Sequence, residues 1–269
     1  MHNPINYLTV GHACWDRIVY LDHMPLPDHK ATVTNIKEMP GGSAARTALA
    51  LRAAGCVHVS MISVLGRRTD TTVRDLLLSL DRADVCADAC VHTDQPGAQS
   101  SIWTLSDGSR TIAAFHTGDE VFESQLSQQP RAALFDNNKP QLNRSVRDQL
   151  GSHVLKLLDV DSPVAHMEEL RGYDQVWFSE ETWQQMGMDL RSAAAVLNCV
   201  VGVTAGPRAV TWIEHGQVHQ QLPPSVRVKD STGAGDTWRA HLVKALCEGA
   251  DLKRAVADAC SSTAQLLCR

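Results

Sequence analysis

The sequence predicts an α/β protein with a mostly parallel central sheet. From residue 132 onward, short apolar runs typical of buried strands alternate with helical patterns, the order expected of a parallel sheet wrapped by helices. Near the N-terminus, the apolar run 7–11 ends in a glycine and predicts another buried strand. The chain has 269 residues, enough for one large core, so we expect a single domain over 1–269.

The elements before residue 132 follow from local patterns. The alanine-rich stretch 44–52 follows Ser43, a candidate N-cap, and is ended by Gly55, so it predicts a helix. The stretch 69–80 places four apolar side chains on one face and predicts a second helix. Strands are expected at 57–65, 101–105 and 111–115.

Two segments do not fit the parallel core. Residues 16–39 alternate irregularly and contain two prolines, so they predict two exposed strands and a loop. Residues 91–116 include a predicted hairpin that turns at Asp107 and Gly108. We therefore expect both segments to lie outside the main sheet.

The second half of the chain supplies the rest of the sheet and its helices. Strands are predicted at 132–135, 155–160, 175–178 and 200–204, and helices at 141–153, 164–171 and 190–198. A hairpin of 210–214 and 217–222 is expected to turn at His215 and Gly216. Two amphipathic helices then end the chain, the first beginning at Asp236.

Composition excludes several classes of partner. The net charge is -5 and no basic run is present, which argues against nucleic acid and against an anionic membrane. No apolar stretch approaches the roughly 20 residues that span a bilayer, and the first residues lack a signal-peptide pattern. We therefore expect a cytoplasmic protein whose 8 cysteines are mostly buried and reduced.

The segment 230–236 carries the chemistry. It reads Asp-Ser-Thr-Gly-Ala-Gly-Asp and precedes an amphipathic helix. Small residues let the backbone amides approach a ligand, and the helix N-terminus favours a phosphate or an oxyanion. Asp236, beside that anion site, is placed to accept a proton from a substrate hydroxyl. The alternative is that Asp236 merely caps the helix.

Here the sequence resembles the PfkB, or ribokinase-like, family of carbohydrate kinases. That family carries an Asp-Thr-x-Gly-Ala-Gly-Asp string, matched by 230–236, and a Gly-Gly pair that opens a helix, matched by Gly41 and Gly42. It also carries an Asp after the first strand, matched by Asp16, and a late Thr-x-Gly, matched by 204–206. The four features occur in the family's order.

The resemblance implies a three-layer α/β/α sandwich with a small β-sheet lid, formed by about 16–39 and 91–116. It implies an ATP-dependent kinase that uses Mg²⁺ and acts on a small sugar. Whether a monovalent cation such as K⁺ also binds near Asp230 is left open by the sequence. A homodimer through the lid is expected, because exposed sheet edges often pair.

The resemblance also assigns roles to residues. Asp236 would be the catalytic base, with the amides of Gly233, Ala234 and Gly235 holding the transferred phosphoryl group. The sugar would be bound by Asp16, Gly41 and Gly42. The nucleotide phosphates would be bound by Thr204, Gly206, Thr232, Gly233 and Gly235.

Arg46 departs from the family pattern, because many relatives carry a sugar-binding Asn there. Either Arg46 turns to solvent, or it places a cation in the pocket for an acidic or sulfonated sugar. Lys30 in the lid segment and Arg17 beside Asp16 fit the second reading. The segment 10–30 is somewhat similar to the sulfofructose kinase and ketohexokinase branches.

Two further departures concern the metal and the nucleotide. The family's Asn-x-x-Glu, which organises Mg²⁺, has no clean match; Glu180 or Glu181 in the corresponding stretch is a candidate replacement, and neither is chosen. The metal ligands therefore stay unassigned. The chain ends soon after Leu267, where relatives usually continue, so a more open adenine pocket is one expectation.

Three alternatives remain at this point. The first is a nucleoside kinase of the same fold, with Trp15 and Trp103 available to stack on a base. The second is a non-catalytic sugar or nucleotide sensor, which the missing Asn-x-x-Glu makes conceivable. The third, a Rossmann-type oxidoreductase, ranks lowest because the turn after the first strand lacks the spaced glycines.

Overall fold

A computed structural model of the chain describes residues 6–106, 109–228 and 231–268. The strands are β1 (Tyr7–Gly11), β2 (Cys14–Leu21), β3 (Val33–Gly41), β4 (Val59–Leu65), β5 (Val85–Cys86), β6 (Val91–His92), β7 (Gln99–Thr104), β8 (Arg110–Phe115), β9 (Ala132–Asp136), β10 (Leu155–Val160), β11 (Gln175–Ser179), β12 (Val200–Thr204), β13 (Val210–Glu214) and β14 (Gln217–Gln221). The helices are α1 (Ser43–Ala53), α2 (Thr71–Arg82), α3 (Pro140–Arg147), α4 (Glu180–Met186), α5 (Leu190–Leu197), α6 (Ala234–Cys247) and α7 (Leu252–Leu267), and a 3₁₀ helix covers Met167–Leu170.

The main sheet has the strand order β14-β13-β12-β11-β10-β9-β1-β4-β5, with β6 also paired to β4. The pairs from β5 to β12 are parallel, and the last two pairs, β12 with β13 and β13 with β14, are antiparallel. The prediction of an α/β fold on a mostly parallel sheet is therefore confirmed.

Helices cover both faces of this sheet. Side chains of α1, α2, α6 and α7 pack on one face, and those of α3, α5 and the 3₁₀ helix pack on the other. Because successive strand residues point to opposite faces, Tyr7 of β1 enters the first core while Leu8 and Val10 enter the second. Within the described residues, no helix is long and apolar enough to cross a membrane.

A second, four-stranded sheet lies in the order β3-β2-β7-β8. It comes from most of the two segments that did not fit the parallel core. The start of the second segment was wrongly expected outside the main sheet, because β6 pairs with β4. The β2 and β7 strands pair in parallel, so the two segments join through their inner strands, and β3 and β8 are the edges. The hairpin turn predicted at Asp107 and Gly108 lies outside the described residues.

Several predicted elements differ from the structure. The helix predicted at 141–153 ends at Arg147, and the one predicted at 164–171 is only the 3₁₀ turn. That turn buries Met167 and Leu170, whose spacing of three matches the period of a 3₁₀ helix. Ser43 does not cap α1, because the N-cap residue is Gly42 and no side chain caps that end.

Helix α4 was missed by the sequence analysis. The Ser179 hydroxyl accepts a hydrogen bond from the Thr182 amide at 3.2 Å and caps this helix. Glu180 and Glu181 then occupy its first turn, where acidic side chains favour the helix dipole. These signals were present in the sequence but had been read as a metal motif.

Candidate active site

Asp236 lies in the first turn of α6 and is only 9% exposed. Its Oδ1 atom accepts a hydrogen bond from the Thr47 hydroxyl at 3.1 Å and contacts a guanidinium nitrogen of Arg239. The N-cap residue is Gly233, and no side chain caps the helix. The carboxylate is therefore directed at neighbouring side chains, and the geometry favours a role other than capping.

The backbone before Asp236 presents an open turn. Gly233 has φ 78° and ψ 8°, in the left-handed region that glycine adopts most readily. A Cβ atom added at Gly233 or Gly235 would meet nothing within 4 Å, so there is space beside both residues. The first amides of a helix lack intrahelical acceptors, and such a turn suits a phosphate.

Ala234 differs from its two neighbours. Its amide donates a hydrogen bond to the Ser231 carbonyl at 3.2 Å. A phosphoryl oxygen would have to share that amide, whereas Gly235 lies one position further along, in the first turn, where amides lack intrahelical acceptors. Thr232, also predicted to bind nucleotide, lies in the same turn and is partly buried.

Asp16 lies on β2 and is 5% exposed. A Cβ atom at Gly41 would lie 2.2 Å from the Asp16 carboxylate, so a glycine is required for that carboxylate to occupy its position. Gly42 has φ 81°, and a Cβ there would lie 2.4 Å from the His12 carbonyl oxygen. The Gly-Gly pair therefore allows the start of α1 to pack closely against the residues after β1.

Helix α1 joins the two carboxylates. Arg46 Nη2 lies 2.9 Å from Asp16 Oδ2, and the next residue, Thr47, donates to Asp236. Asp16 Oδ1 also accepts a bond from the Cys14 thiol at 3.3 Å. The structure thus brings together residues that the sequence analysis took from opposite ends of the chain.

Of the three basic residues predicted near the sugar, Arg46 alone contacts Asp16. Its side chain is 16% exposed, so it turns inward and not to solvent. Arg17 points the other way, because its 56% exposed side chain pairs with Glu38 at 3.7 Å. Lys30 lies exposed in the loop between β2 and β3, and the structure does not bring it to this cluster.

Burial governs the ionisation of Asp236 and Asp136. It raises the pKa of Asp236 to about 6, against the lowering effects of Arg46 and the Thr47 hydroxyl. Burial likewise raises the pKa of Asp136, at the end of β9, to about 6. Asp136 accepts hydrogen bonds from the amides of His12 at 2.7 Å and Asn138 at 2.9 Å. Both carboxyls are thus mainly ionised at neutral pH.

The predicted nucleotide side lies at the end of β12. Thr204 closes that strand, and its hydroxyl donates to the Phe178 carbonyl at 3.4 Å. Gly206 follows with φ 57°, and a Cβ there would meet nothing within 4 Å. Space beside Gly206 and at the turn before α6 is compatible with the phosphates of a nucleotide.

The residues considered for Mg²⁺ do not form a metal site by themselves. Glu180 pairs with Arg208, and Glu181 is exposed. Over the described ranges, no group of three or more His, Cys, Asp and Glu side chains is arranged to hold a metal. Asp230, near which a monovalent cation was considered, lies outside the described residues. We assign no metal ligand.

Sequence reasoning missed Thr47, Arg239, Asp136 and Asp159. Asp159 is on β10, and its Oδ2 atom contacts Arg239 Nη1. A signal for Arg239 was available, because residues three apart on a helix share a face and Arg239 follows Asp236 at that spacing. No local pattern marks the other three, which are brought to the site by the fold.

The arrangement defines a ribokinase-fold protein with a carboxylate beside a helix-start amide turn. The described fold matches ribokinase from Giardia lamblia at 13% identity and a TM-score of 0.84, covering 99% of this chain and 94% of that one. It matches Arabidopsis thaliana ribokinase, solved with ribose and ATP, at 19% identity and a TM-score of 0.80, covering 98% and 93%.

Residues 179–269 match the model of the pfkB family carbohydrate kinases. A nucleoside kinase of Methanothermobacter thermautotrophicus is 24% identical over 280 aligned positions, which cover 94% of this chain and 86% of that protein. The resemblance to pfkB carbohydrate kinases predicted from the sequence is confirmed, and these relatives support an ATP-dependent kinase.

Proposed function

We propose that this protein transfers the γ-phosphoryl group of ATP to a hydroxyl of a small sugar-like substrate. The observation that carries the proposal is the position of Asp236. A buried carboxylate lies beside an open, glycine-lined turn at a helix start, and helix α1 joins it to a second carboxylate, Asp16. A base and a phosphate site must adjoin in this way for a hydroxyl to be phosphorylated.

In this mechanism Asp16 orients the acceptor by accepting hydrogen bonds from its hydroxyl groups. Asp236 accepts the proton of the reacting hydroxyl as its oxygen attacks the γ-phosphorus and ADP leaves. The amides at Gly233 and Gly235 stabilise the negative charge on the transferred group. Mg²⁺ bound to ATP would neutralise phosphate charge; the described residues provide no carboxylate cluster for it.

The Arg46 contact supports an acidic acceptor. A neutral sugar offers Asp16 only hydroxyl donors, which must compete with a guanidinium already 2.9 Å away. A carboxylate or sulfonate on the acceptor would instead bind Arg46, whose fork offers five N–H donors. We therefore expect acidic sugars to be better acceptors than their neutral counterparts.

A nucleoside acceptor is the second candidate, and the curated nucleoside kinase relative favours it. Trp103, however, is not placed to stack on the base of a nucleoside bound at Asp16. Trp103 is in register with Val19, whereas Ser100 is in register with Asp16, so Trp103 and Asp16 lie on opposite faces of the small sheet. Trp15, the residue before Asp16 on β2, lies on the same opposite face, so a base would have to stack on another side chain.

The first experiment is to measure ADP release from ATP and Mg²⁺ with neutral, acidic and sulfonated sugars and with nucleosides. Asp236→Asn should reduce turnover by about 10²- to 10⁴-fold, because the positioned base is lost. Asp258→Asn, at an exposed site on α7, is the control and should leave turnover unchanged. If ATP or a sugar binds but no ADP is released with any acceptor, the protein is a sensor and not a kinase.

We also propose a cytoplasmic homodimer joined through the small sheet. Large apolar side chains on that sheet are exposed: Val33, Ile36, Trp103, Ile112 and Phe115. The strand register places Ile36, Trp103 and Phe115 on one face of this sheet. Exposed apolar side chains on one face of a sheet with two open edges favour pairing with a second copy.

A further inference from the structure

Arg239 is a buried arginine that the mechanism above does not use. It is 7% exposed and lies one helical turn after Asp236. One guanidinium nitrogen contacts Asp236 Oδ1, and the other contacts Asp159 Oδ2. Arg239 thus bridges the candidate base and a carboxylate of the central sheet.

Two hydroxyl groups complete the contacts. Arg239 Nη2 donates to Ser43 Oγ at 2.9 Å and lies 3.3 Å from Thr47 Oγ1. Both hydroxyls belong to α1, whose Thr47 also donates to Asp236. The guanidinium is therefore fixed by groups from a strand and from two helices, and a planar fork held in this way has little freedom to rotate.

The charges explain why such a bridge is needed. A carboxylate taken out of water strongly favours its neutral form unless a cation lies nearby. Arg239 supplies that cation, and Asp159 balances a positive charge that would itself be costly to bury alone. Burial lowers the pKa of Arg239 to about 10, so Arg239 is still protonated at neutral pH.

We propose that Arg239, held by Asp159, is a positioning residue that fixes the Asp236 carboxylate and keeps it ionised for proton abstraction. The kinetic part of this inference rests on the proposed kinase function. The electrostatic part concerns only the folded protein, so it is tested without turnover.

Other charged groups also act on the pKa of Asp236. Arg46 on α1 lowers the pKa of Asp236, whereas Asp136 at the end of β9 and Asp161 after β10 raise it. These groups are unchanged when Arg239 or Asp159 is replaced. Removing the Arg239 cation should therefore raise the pKa of Asp236, and neutralising Asp159 should lower it, because Arg239 then has one carboxylate partner fewer.

The experiment is a carboxyl ¹³C NMR titration of the aspartates, with Asp236 assigned from the Asp236→Asn spectrum. In Arg239→Gln the Asp236 midpoint should rise by about one to three pH units, as expected for loss of an adjacent opposite charge. In Asp159→Asn the Asp236 midpoint should fall. Arg254→Gln, which removes an exposed arginine on α7, should leave the midpoint unchanged.

The pH profile of kcat/KM provides the second readout. The pH at which kcat/KM falls on the acid side should move in the same direction as the NMR midpoint in each variant. The KM for ATP should change little. An unshifted Asp236 midpoint in both variants overturns the inference even if the enzyme is active. Shifted midpoints without turnover on any acceptor support the bridge and overturn the kinase proposal.

If Arg239→Gln does not fold, Asp159→Asn still tests the inference, because this variant retains the Arg239 guanidinium. A midpoint for Asp236 that falls in this variant supports the inference. A midpoint that is unchanged or rises overturns it.

Discussion

At the residue scale, the chemistry depends on carboxylates that are buried yet ionised. Asp236 and Asp136 both have a pKa raised to about 6 by burial. His12 shows the opposite effect, since burial lowers its pKa to about 4 and leaves its ring neutral at pH 7. Its ring lies 4.9 Å from that of His116, and its backbone amide donates to Asp136 at 2.7 Å.

The raised pKa of Asp236 predicts the pH dependence of activity. A general base must be ionised, so kcat/KM should rise with pH up to about 6 and then level off. The slope below that value should approach tenfold per pH unit. The measurement is kcat/KM from about pH 4.5 to about pH 8. A profile that is flat across this range would show that Asp236 is not the titrating base.

The same pKa affects stability with a definite sign. The folded protein holds a proton on Asp236 between about pH 4 and 6 that the unfolded chain releases. The free energy of unfolding therefore falls, on account of this group, as pH rises through that window. Asp236→Asn should remove up to about 3 kcal/mol of this pH dependence. The measurement is the difference between the free energies of unfolding obtained from urea titrations at pH 4 and pH 7.

At the element scale, α6 is held against the sheet by an aromatic contact. The rings of Trp177 on β11 and Trp238 on α6 lie 4.8 Å apart in an edge-to-face arrangement. Gly202 of the next strand makes room for this pair, because a Cβ there would lie 2.1 Å from the Trp177 ring. Strand β12 thus needs a glycine for α6, and with it Asp236, to reach its position.

Gly202→Ala tests this packing. The methyl group forces Trp177 to shift, so we expect a loss of about 1 to 3 kcal/mol in the free energy of unfolding. Turnover at saturating substrate should fall as well, since α6 carries the base. Ser261→Ala, at an exposed position on α7, is the stability control. Unchanged stability of Gly202→Ala would show that the Trp pair does not hold α6.

At the scale of the whole molecule, we propose that the small sheet makes the contacts with another copy. We propose that residues 1–269 form one domain, with this sheet as its lid. Its exposed Trp103 and Phe115 lie on neighbouring strands and on the same face of the sheet. In a dimer these side chains would be buried, and the edges β3 and β8 would be protected from solvent.

Trp103→Glu should therefore yield a monomer, because a charge buried in an apolar interface is costly. Sedimentation equilibrium measures the mass directly. Leu222→Glu is the matched control, since Leu222 is 68% exposed but lies outside the small sheet. If the unmodified protein is a monomer at every concentration tested, the proposed dimer is wrong.

Local sequence was sufficient for most of the strands and helices, although β5, β6 and α4 were missed. The runs that became β10 and β12 and the helix α5 were predicted within one residue of their observed bounds, because apolar periodicity and glycine stops act locally. The motif around Asp236 was also visible, since an amide turn at a helix start is a local structure. The short 3₁₀ turn was misread because four residues hold too little periodicity.

The tertiary structure alone decided which groups meet at the site. Arg46 was equally compatible with solvent or pocket until Asp16 was placed 2.9 Å from it. The bridge from Asp236 through Arg239 to Asp159 joins α6 to β10, and no spacing along the chain encodes the contact between Arg239 and Asp159. The physical reason is that a strand or a helix forms from neighbouring residues, whereas a buried charge is stable only beside partners that the whole fold brings to it.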